Sequence, residues 1–438
     1  MSKSVRFWII WMILPTIVLV GVFVGSGVMI GKWAVRSVSA ESDTYQELKL
    51  FTEVISIIKS NYVEEVKSKD LIYGALKGML NSLDPHSSFM TPDLFKEMKV
   101  DTKGEFGGVG IQIGKKSAMI TVISPIEDTP AYQAGIKAGD TIVKINGEST
   151  EKMTLYDAVS KMRGAKGSKV TVTIMREDWK EPRDFTLVRD TIKVKSVKYK
   201  VINEDVGYVK VNQFQEKTVS DLEKALAALK EKKVTSLLLD LRNDPGGLLQ
   251  GAVGVAEQFL PPDKLVVYIK DRTGEKKEFF TEGDGKYEKL PMVVMVNEGS
   301  ASASEIVAGA LKDWNRAIVL GTTTFGKGSV QSVLPLSDGS GLRLTTARYY
   351  TPKGTSIQNT GITPDIVVKQ KADKSKERPV MREKDLKGHL ENEQAEEKDP
   401  EETEAAPLEV DEKDDVQLQR AVDILKTWDV MKKFNKAA

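Results

Sequence analysis

The chain has 438 residues, enough for two or three domains with cores of their own. Charged residues make up 29% but nearly cancel, at a formal net charge of +1, a balance that indicates neither a nucleic-acid binder nor a protein built for acidic partners. There is no cysteine, which removes thiol nucleophiles, disulfides and cysteine zinc sites; the two histidines, His86 and His389, are far apart, so a histidine-rich metal site is not expected, while an all-carboxylate site stays open.

Phe7–Gly31 is an uncharged, mostly apolar run of 25 residues. At about 1.5 Å per residue it is long enough to cross a hydrocarbon layer of about 30 Å. Lys3 and Arg6 precede it and Lys32 and Arg36 follow, so the flanking charge barely decides an orientation. "VSA" at Val38–Ala40 offers a signal-peptidase site, but the run exceeds a usual signal core. The expectation is an N-terminal membrane-spanning anchor, with a cleaved signal as the alternative. Either places residues 41 onward outside the cytoplasm, anchored to a membrane or secreted.

Leu48, Phe51, Ile55, Ile58 and Tyr62 recur at helical spacing and predict an amphipathic helix over 45–62, with a second over Lys69–Leu80. A turn, "SLDPHSSFM", holds His86, expected to hydrogen-bond structurally, and Thr91 is placed to cap a helix that starts at Pro92. Residues 104–190 are a glycine-punctuated block of short strands. In "GEFGGVGIQI", Val109, Ile111 and Ile113 alternate on one strand face. "TLYDAVSKMRG" opens with a Thr154–Asp157 capping box and carries Leu155, Ala158, Val159 and Met162 at helical spacing. With its "AGIKAGDTIVKING" segment, the block resembles a PDZ domain of the bacterial protease type.

Residues 191–370 read as an α/β region. "VGYVKVNQF" and "VTSLLLDL" predict buried strands, the second feeding the loop "RNDPGG" and a helix from Leu248. "MVVMV" predicts another strand, running into "NEGSASASEI" and a helix from Glu305 to Trp314. "AIVLGT" leads to "TTFGKGSVQ", and "SDGSG" predicts a hairpin turn. Residues 371–415 are dominated by Lys, Glu and Asp and are expected to be a mobile charged linker that includes His389. Leu418, Ala421, Val422, Leu425 and Trp428 predict a closing amphipathic helix.

The serine-rich stretch raises a question of chemistry. A serine nucleophile needs a base, and neither histidine is well placed. The alternative is a lysine kept neutral by burial. Lys327 fits, because no acid lies between Asp313 and Asp338, whereas most other lysines of the region sit in charged runs. Ser302 and Glu305 also match S-x-x-E, so a plain helix cap would explain a serine there, but not the Ala-Ser crowding around it.

Together "DLRNDPGG", "NEGSASASEI", "GTTTFGKGSVQ" and "TPKGTSIQNTGITPDI" resemble the C-terminal processing, or tail-specific, serine peptidases over roughly residues 45–370. The resemblance implies a helical arm (41–97), a PDZ domain (98–190) and a ClpP/crotonase-like α/β serine peptidase core (191–370); with the anchor or signal (1–40), charged linker (371–415) and C-terminal helix (416–438) read above, the expected fold is a multi-domain α/β and β one with an N-terminal membrane-spanning segment. It implies Ser302 as nucleophile, Lys327 as base, Gln331 as the residue that orients the lysine, and the N–H groups of Gly247 and Ala303 as oxyanion donors. It implies no cofactor and no metal. In the PDZ block, Gly107, Gly108, Val109 and Gly110 are expected to hold the carboxylate of a substrate tail that adds as a strand, with apolar C-termini preferred. Expected partners are protein substrates with such tails, the membrane and, through the stripes of the first and last helices, further copies of the chain. A membrane-tethered PDZ scaffold without turnover is the competing reading, and a crotonase-like acyl-CoA enzyme a distant third.

Overall fold

A computed structural model describes residues 45–116, 119–370, 377–394, 405–407 and 412–437. The chain divides into two compact units, one ending at Met79 and one spanning Leu80–Ala438. The first unit contains helix α1 (residues 45–61), which exposes Leu48, Leu50, Phe51 and Ile57. Helix α2 (Ser68–Asn81) follows, close to the predicted Lys69–Leu80.

The larger unit opens with a short strand β1 (Ser88–Met90) and helix α3 (Pro92–Lys103). Thr91 caps α3 by accepting from the Leu94 N–H at 3.5 Å, with Pro92 in the first turn where its missing N–H costs nothing. The PDZ block then runs β2 (Glu105–Gly108), β3 (Ile111–Lys116), β4 (Met119–Pro125), α4 (Pro130–Gln133), β5 (Thr141–Ile145), β6 (Glu148–Ser149), α5 (Leu155–Met162), β7 (Lys169–Met175), β8 (Arg183–Val188) and β9 (Asp190–Lys193). Strands β3-β4-β5-β7-β8 form one antiparallel sheet, with β6 on β5, and β2 pairs β9 separately. Its core gathers Val109, Ile120, Ile142, Ile145, Ala158, Met162 and Val172, with Ile111 and Ile113 against it, as the alternating pattern predicts. The Thr154–Asp157 capping box forms, with the Asp157 N–H on the Thr154 hydroxyl at 3.1 Å and the Thr154 N–H on Asp157 at 2.9 Å.

The α/β region contributes β10 (Val197–Ile202), β11 (Val206–Val211), α6 (Thr218–Glu231), β12 (Ser236–Asp240), α7 (Leu249–Glu257), β13 (Leu265–Asp271), β14 (Lys276–Phe280), β15 (Met292–Val296), α8 (Ala303–Asp313), β16 (Ile318–Gly321), β17 (Ser329–Pro335), β18 (Gly341–Tyr350) and β19 (Ile366–Val367). One sheet orders β10-β11-β12-β15-β16-β19, antiparallel at the first pair and parallel thereafter. A second joins β1, β18, β13 and β14, with β17 paired to β18 through the predicted hairpin.

The continuous apolar runs of β12 and β15 have a simple cause: both faces of the parallel sheet are covered. Leu237, Leu239, Met292, Val294 and Val296 face α6, α7 and α8, including Leu226, Val255, Val307 and Leu311. Leu238, Val293 and Met295 face the opposite way, onto Leu418, Ala421, Val422 and Leu425 of the last helix, α9 (Val416–Ala437). The apolar stripe Leu418–Leu425 of α9 is thus buried within its own subunit rather than left for a second copy, while Trp428, Val430 and Met431 are exposed. Arg242 ties α9 down further, bonding Asp240 and, at 2.9 and 2.8 Å, Asp415 at the start of that helix.

The expected fold class needs one correction. Among the described residues no helix is long and apolar enough to cross a membrane. The longest, α9, has 22 residues but carries Arg420, Asp423 and Lys426 within its length. Phe7–Gly31, on which the expected membrane-spanning segment rested, lies outside the described residues.

Candidate active site

In the parallel sheet, β12, β15 and β16 point their carboxyl ends the same way, so the loops 241–248, 297–302 and 322–328 converge at one edge. These loops hold every catalytic and oxyanion residue singled out in the sequence except Ala303, which begins α8, and Gln331, which lies within β17.

The three serines of "SASAS" have different surroundings. Ser300 and Ser304 are fully buried, and both hydroxyls donate to carbonyls of the neighbouring loop, Ser300 to Leu241 at 2.7 Å and Ser304 to Asp244 at 3.0 Å. Ser302 sits between them, half-buried, at the N-terminus of α8. Its backbone is in the left-handed half of φ/ψ space (φ 54°, ψ −112°), which a side chain adopts only at a cost of about 1–3 kcal/mol. The outer two serines pin the turn, and the middle one is held in a strained elbow.

The "DPGG" loop lies directly against that elbow. A β-carbon on Gly246 (φ +93°) would stand 2.6 Å from the Ala301 carbonyl oxygen, 2.8 Å from the Ala303 nitrogen and 2.9 Å from Ser302 Cβ. Only glycine allows this approach. Gly246→Ala is expected to push the Ser302 turn away from the glycine loop and lower kcat at least about 100-fold, the cost of a misplaced site, and steady-state cleavage assays check it. Among the described residues the N–H groups of Gly247 and Ala303 donate to no protein acceptor, so both are free for a developing oxyanion. Beneath them Asp244 is buried, its carboxyl pushed up to about 7 by burial, with one oxygen receiving the Gly246 N–H at 2.8 Å.

Lys327 lies on the third loop between two glycines whose space is taken by the segment 358–361: a β-carbon on Gly328 would meet the Gln358 nitrogen at 2.6 Å, and one on Gly326 (φ +95°) the Asn359–Gly361 backbone at about 3.2 Å. Burial lowers the lysine's pKa, Arg343 adds to that, and Glu383, Glu305 and Asp84 oppose it. Carboxylates absent from the local sequence are therefore supplied from a distance, though burial prevails.

Glu305 is the residue that sequence reasoning undervalued. Its carboxylate does reach back to the Ser302 N–H at 2.8 Å, as the cap pattern predicts. It also accepts from the Lys327 N–H at 3.0 Å, the Gly326 N–H at 2.8 Å and the Thr324 hydroxyl. It is fully buried, which pushes its pKa up to about 7 against the pull of these four donors. One side chain thus joins the serine turn to the lysine loop. The S-x-x-E spacing was a signal for the first bond only, because the other three partners lie 19 to 22 positions away. Tyr349, also fully buried, has its pKa raised by burial and by the nearby Glu305, and its hydroxyl has no hydrogen-bond partner among the described residues.

Gln331 is on β17, opposite Thr345. Its amide donates to Ser329 Oγ at 2.9 Å and to Thr345 Oγ1 at 3.4 Å, and its hydrogen bonds include none to Lys327. His86 is occupied by Glu383, 2.7 Å from its Nε2. In the PDZ block, Gly107 and Gly108 lie in β2 opposite Thr191 and Asp190, and a β-carbon on Gly107 would strike the Gly164 carbonyl at 2.1 Å. Val109 points into the PDZ core. Gly110 (φ +79°) abuts Thr129, and among the described residues the Val109 and Gly110 N–H groups donate to no protein acceptor.

Three family models match the chain: "Peptidase family S41" over residues 205–368, "PDZ domain" over 97–175 and "Activating protease CtpB N-terminal domain" over 29–93. The chain is 44% identical to a carboxy-terminal-processing protease of Bartonella bacilliformis, over 93% of this chain and 94% of that one. It is 38% identical to the carboxy-terminal processing protease CtpB of Bacillus subtilis, over 76% of this chain and 70% of that one. A solved photosystem II D1 C-terminal processing protease aligns at 32% identity and a TM-score of 0.44, over 73% of this chain and 92% of that one. The family models and the two sequence relatives show that the chain belongs to peptidase family S41, as a PDZ-containing carboxy-terminal processing protease.

Proposed function

We propose that Ser302 is the nucleophile and Lys327 its base, in an endopeptidase that selects proteins by an apolar C-terminal tail and works outside the cytoplasm. The observation that carries the dyad is the Glu305 carboxylate, which accepts from the backbone N–H of both residues and so holds them as one unit. Neutral Lys327 takes the Ser302 hydroxyl proton as Oγ attacks the scissile carbonyl. The resulting oxyanion is received by the N–H groups of Gly247 and Ala303. The lysine ammonium then protonates the leaving amine as the C–N bond breaks, leaving an acyl-serine. Water, deprotonated by the again neutral lysine, adds to the ester, and Ser302 leaves with the proton back on its oxygen. Gln331 acts in this reading by fixing the β17–β18 edge beside the lysine, through Ser329 and Thr345.

Tail selection is supported by the unengaged Val109 and Gly110 N–H groups and by α5, whose apolar face lies beside β3. Export is supported by the apolar run ahead of Val38–Ala40. A substrate ending in apolar residues should be cut with a kcat/KM at least about tenfold above the same chain ending in Asp-Asp, a difference of about 1.4 kcal/mol. Equal rates for the two tails would remove the PDZ domain from selection.

A further inference from the structure

The charged stretch 371–415 has no composition for a core, yet residues 380–394 within it are laid along the catalytic lysine loop. Glu383 is fully buried. Its N–H donates to the Phe325 carbonyl at 3.1 Å, two residues before Lys327. Its carboxylate receives His86 Nε2 at 2.7 and 2.9 Å and Gln358 Nε2 at 3.1 Å. Gln358 is equally buried and turns its other amide atom to the lysine loop, accepting from the Gly328 N–H at 3.0 Å. Glu383 therefore grips both flanks of Lys327, directly at Phe325 and through Gln358 at Gly328.

The rest of the segment is fastened residue by residue to the same 354–359 stretch. The Leu390 carbonyl accepts from Gln358 and Asn359 at 3.0 Å each. Asn392 donates to the Gln358 carbonyl at 2.6 Å, and Gln394 spans the Ser356 N–H at 2.7 Å and the Gly354 carbonyl at 3.0 Å. A segment with so little apolar surface, a single 3-10 turn at Glu383–Asp385 and otherwise irregular, holds its place through such bonds, and burying a carboxylate is tolerated only where it is paired. The segment itself lies beyond residue 368, where the peptidase family match ends, while its partners at 354–359 lie within that match.

We propose that residues 380–394 form a strap that holds the catalytic lysine loop, and that Glu383 is a positioning residue for Lys327 with His86 as its seat. The proposal rests on the Ser302–Lys327 reading. Charged and titratable groups facing Lys327 are Arg343, Glu383, Glu305 and Asp84; those facing Glu383 are His86, Tyr349 and Lys327 itself. Removing the negative charge of Glu383 takes away a group that favours the ammonium, so the lysine should lose its proton at lower pH.

The test is the pH dependence of kcat and KM in the full chain for wild type, Lys327→Ala, Glu383→Gln, Glu383→Ala and the double variant Asn392→Ala/Gln394→Ala. Glu383→Gln keeps the shape and the Phe325 bond; its acid limb should move to lower pH by about half a unit or more, with a plateau kcat within about threefold of wild type. Glu383→Ala should lose kcat by at least about tenfold with KM changed less than about threefold, the pattern of a misplaced catalytic group. The double variant loosens the strap without changing charge, so kcat should fall while the acid limb stays in place. Should Glu383→Ala fail to fold, the isosteric glutamine variant carries the decision. An unmoved or upward-shifted acid limb in Glu383→Gln, with Lys327→Ala inactive, overturns the strap and leaves the dyad standing. Cleavage by Lys327→Ala overturns the dyad itself.

Discussion

Lys327→Ala and Lys327→Arg are each expected to abolish cleavage, by on the order of 10⁴-fold or more in kcat, and Ser302→Ala should match them. Ser302→Ala combined with either lysine variant should cost no more than one alone, because in the proposed mechanism nucleophile and base act as one unit. The arginine variant is the discriminating one. It keeps a long cation at the site, but a guanidinium stays protonated and takes no proton from Ser302. An ordinary lysine, with a pKa near 10.4, would leave fewer than about one molecule in a thousand active at pH 7. Burial lowers that value here. In the proposed mechanism the neutral form is the active one, so wild-type activity should rise with pH through the lowered lysine pKa and level off below the usual lysine range. Circular dichroism and melting temperature should show all three variants folded. Robust turnover by Lys327→Arg would end the Ser–Lys mechanism, and His86, committed to Glu383, is poorly disposed to replace it.

The second large effect is expected at Glu305, which touches no substrate in this mechanism. If it were only a helix cap, its loss would cost about 1 kcal/mol and leave kcat nearly intact. It is instead the shared acceptor of four donors, three of them backbone N–H groups. Each donor left buried without a partner costs about 1–3 kcal/mol. Glu305→Ala should therefore lower stability by several kcal/mol and kcat by at least about 100-fold, since the serine turn and the lysine loop lose their common fastening. Glu305→Gln is the finer probe. Its amide nitrogen must face at least one N–H, so the variant should fold but remain at least about tenfold below wild type in kcat. Urea denaturation alongside cleavage kinetics reads both quantities, and a Glu305→Ala enzyme with wild-type kcat would reduce the residue to a cap.

Much of this enzyme was legible along the chain because its signals are local. The continuous apolar runs of β12 and β15 and the 3.6-residue period of α5 placed those elements within a few residues, since each is a pattern of neighbouring positions. The start of α8 at Ala303 rather than Glu305 is the ordinary uncertainty of a helix end. Ser302 and Lys327 stood out by composition and by family resemblance. What the chain could not disclose is which groups meet across it. Glu305 looks like a cap because only its nearest bond is local; its bonds to the lysine loop exist once β15 and β16 lie side by side. The stripe of α9 reads equally well as a docking face for another copy or for its own sheet, and only tertiary packing onto Leu238, Val293 and Met295 decides the second. Residues 380–394 read as solvated linker because their charge and low apolarity predict nothing to bury. Composition counts what a segment can bury by itself; it does not see His86 and Gln358 waiting, nearly 300 and 25 positions away, to pair a buried carboxylate.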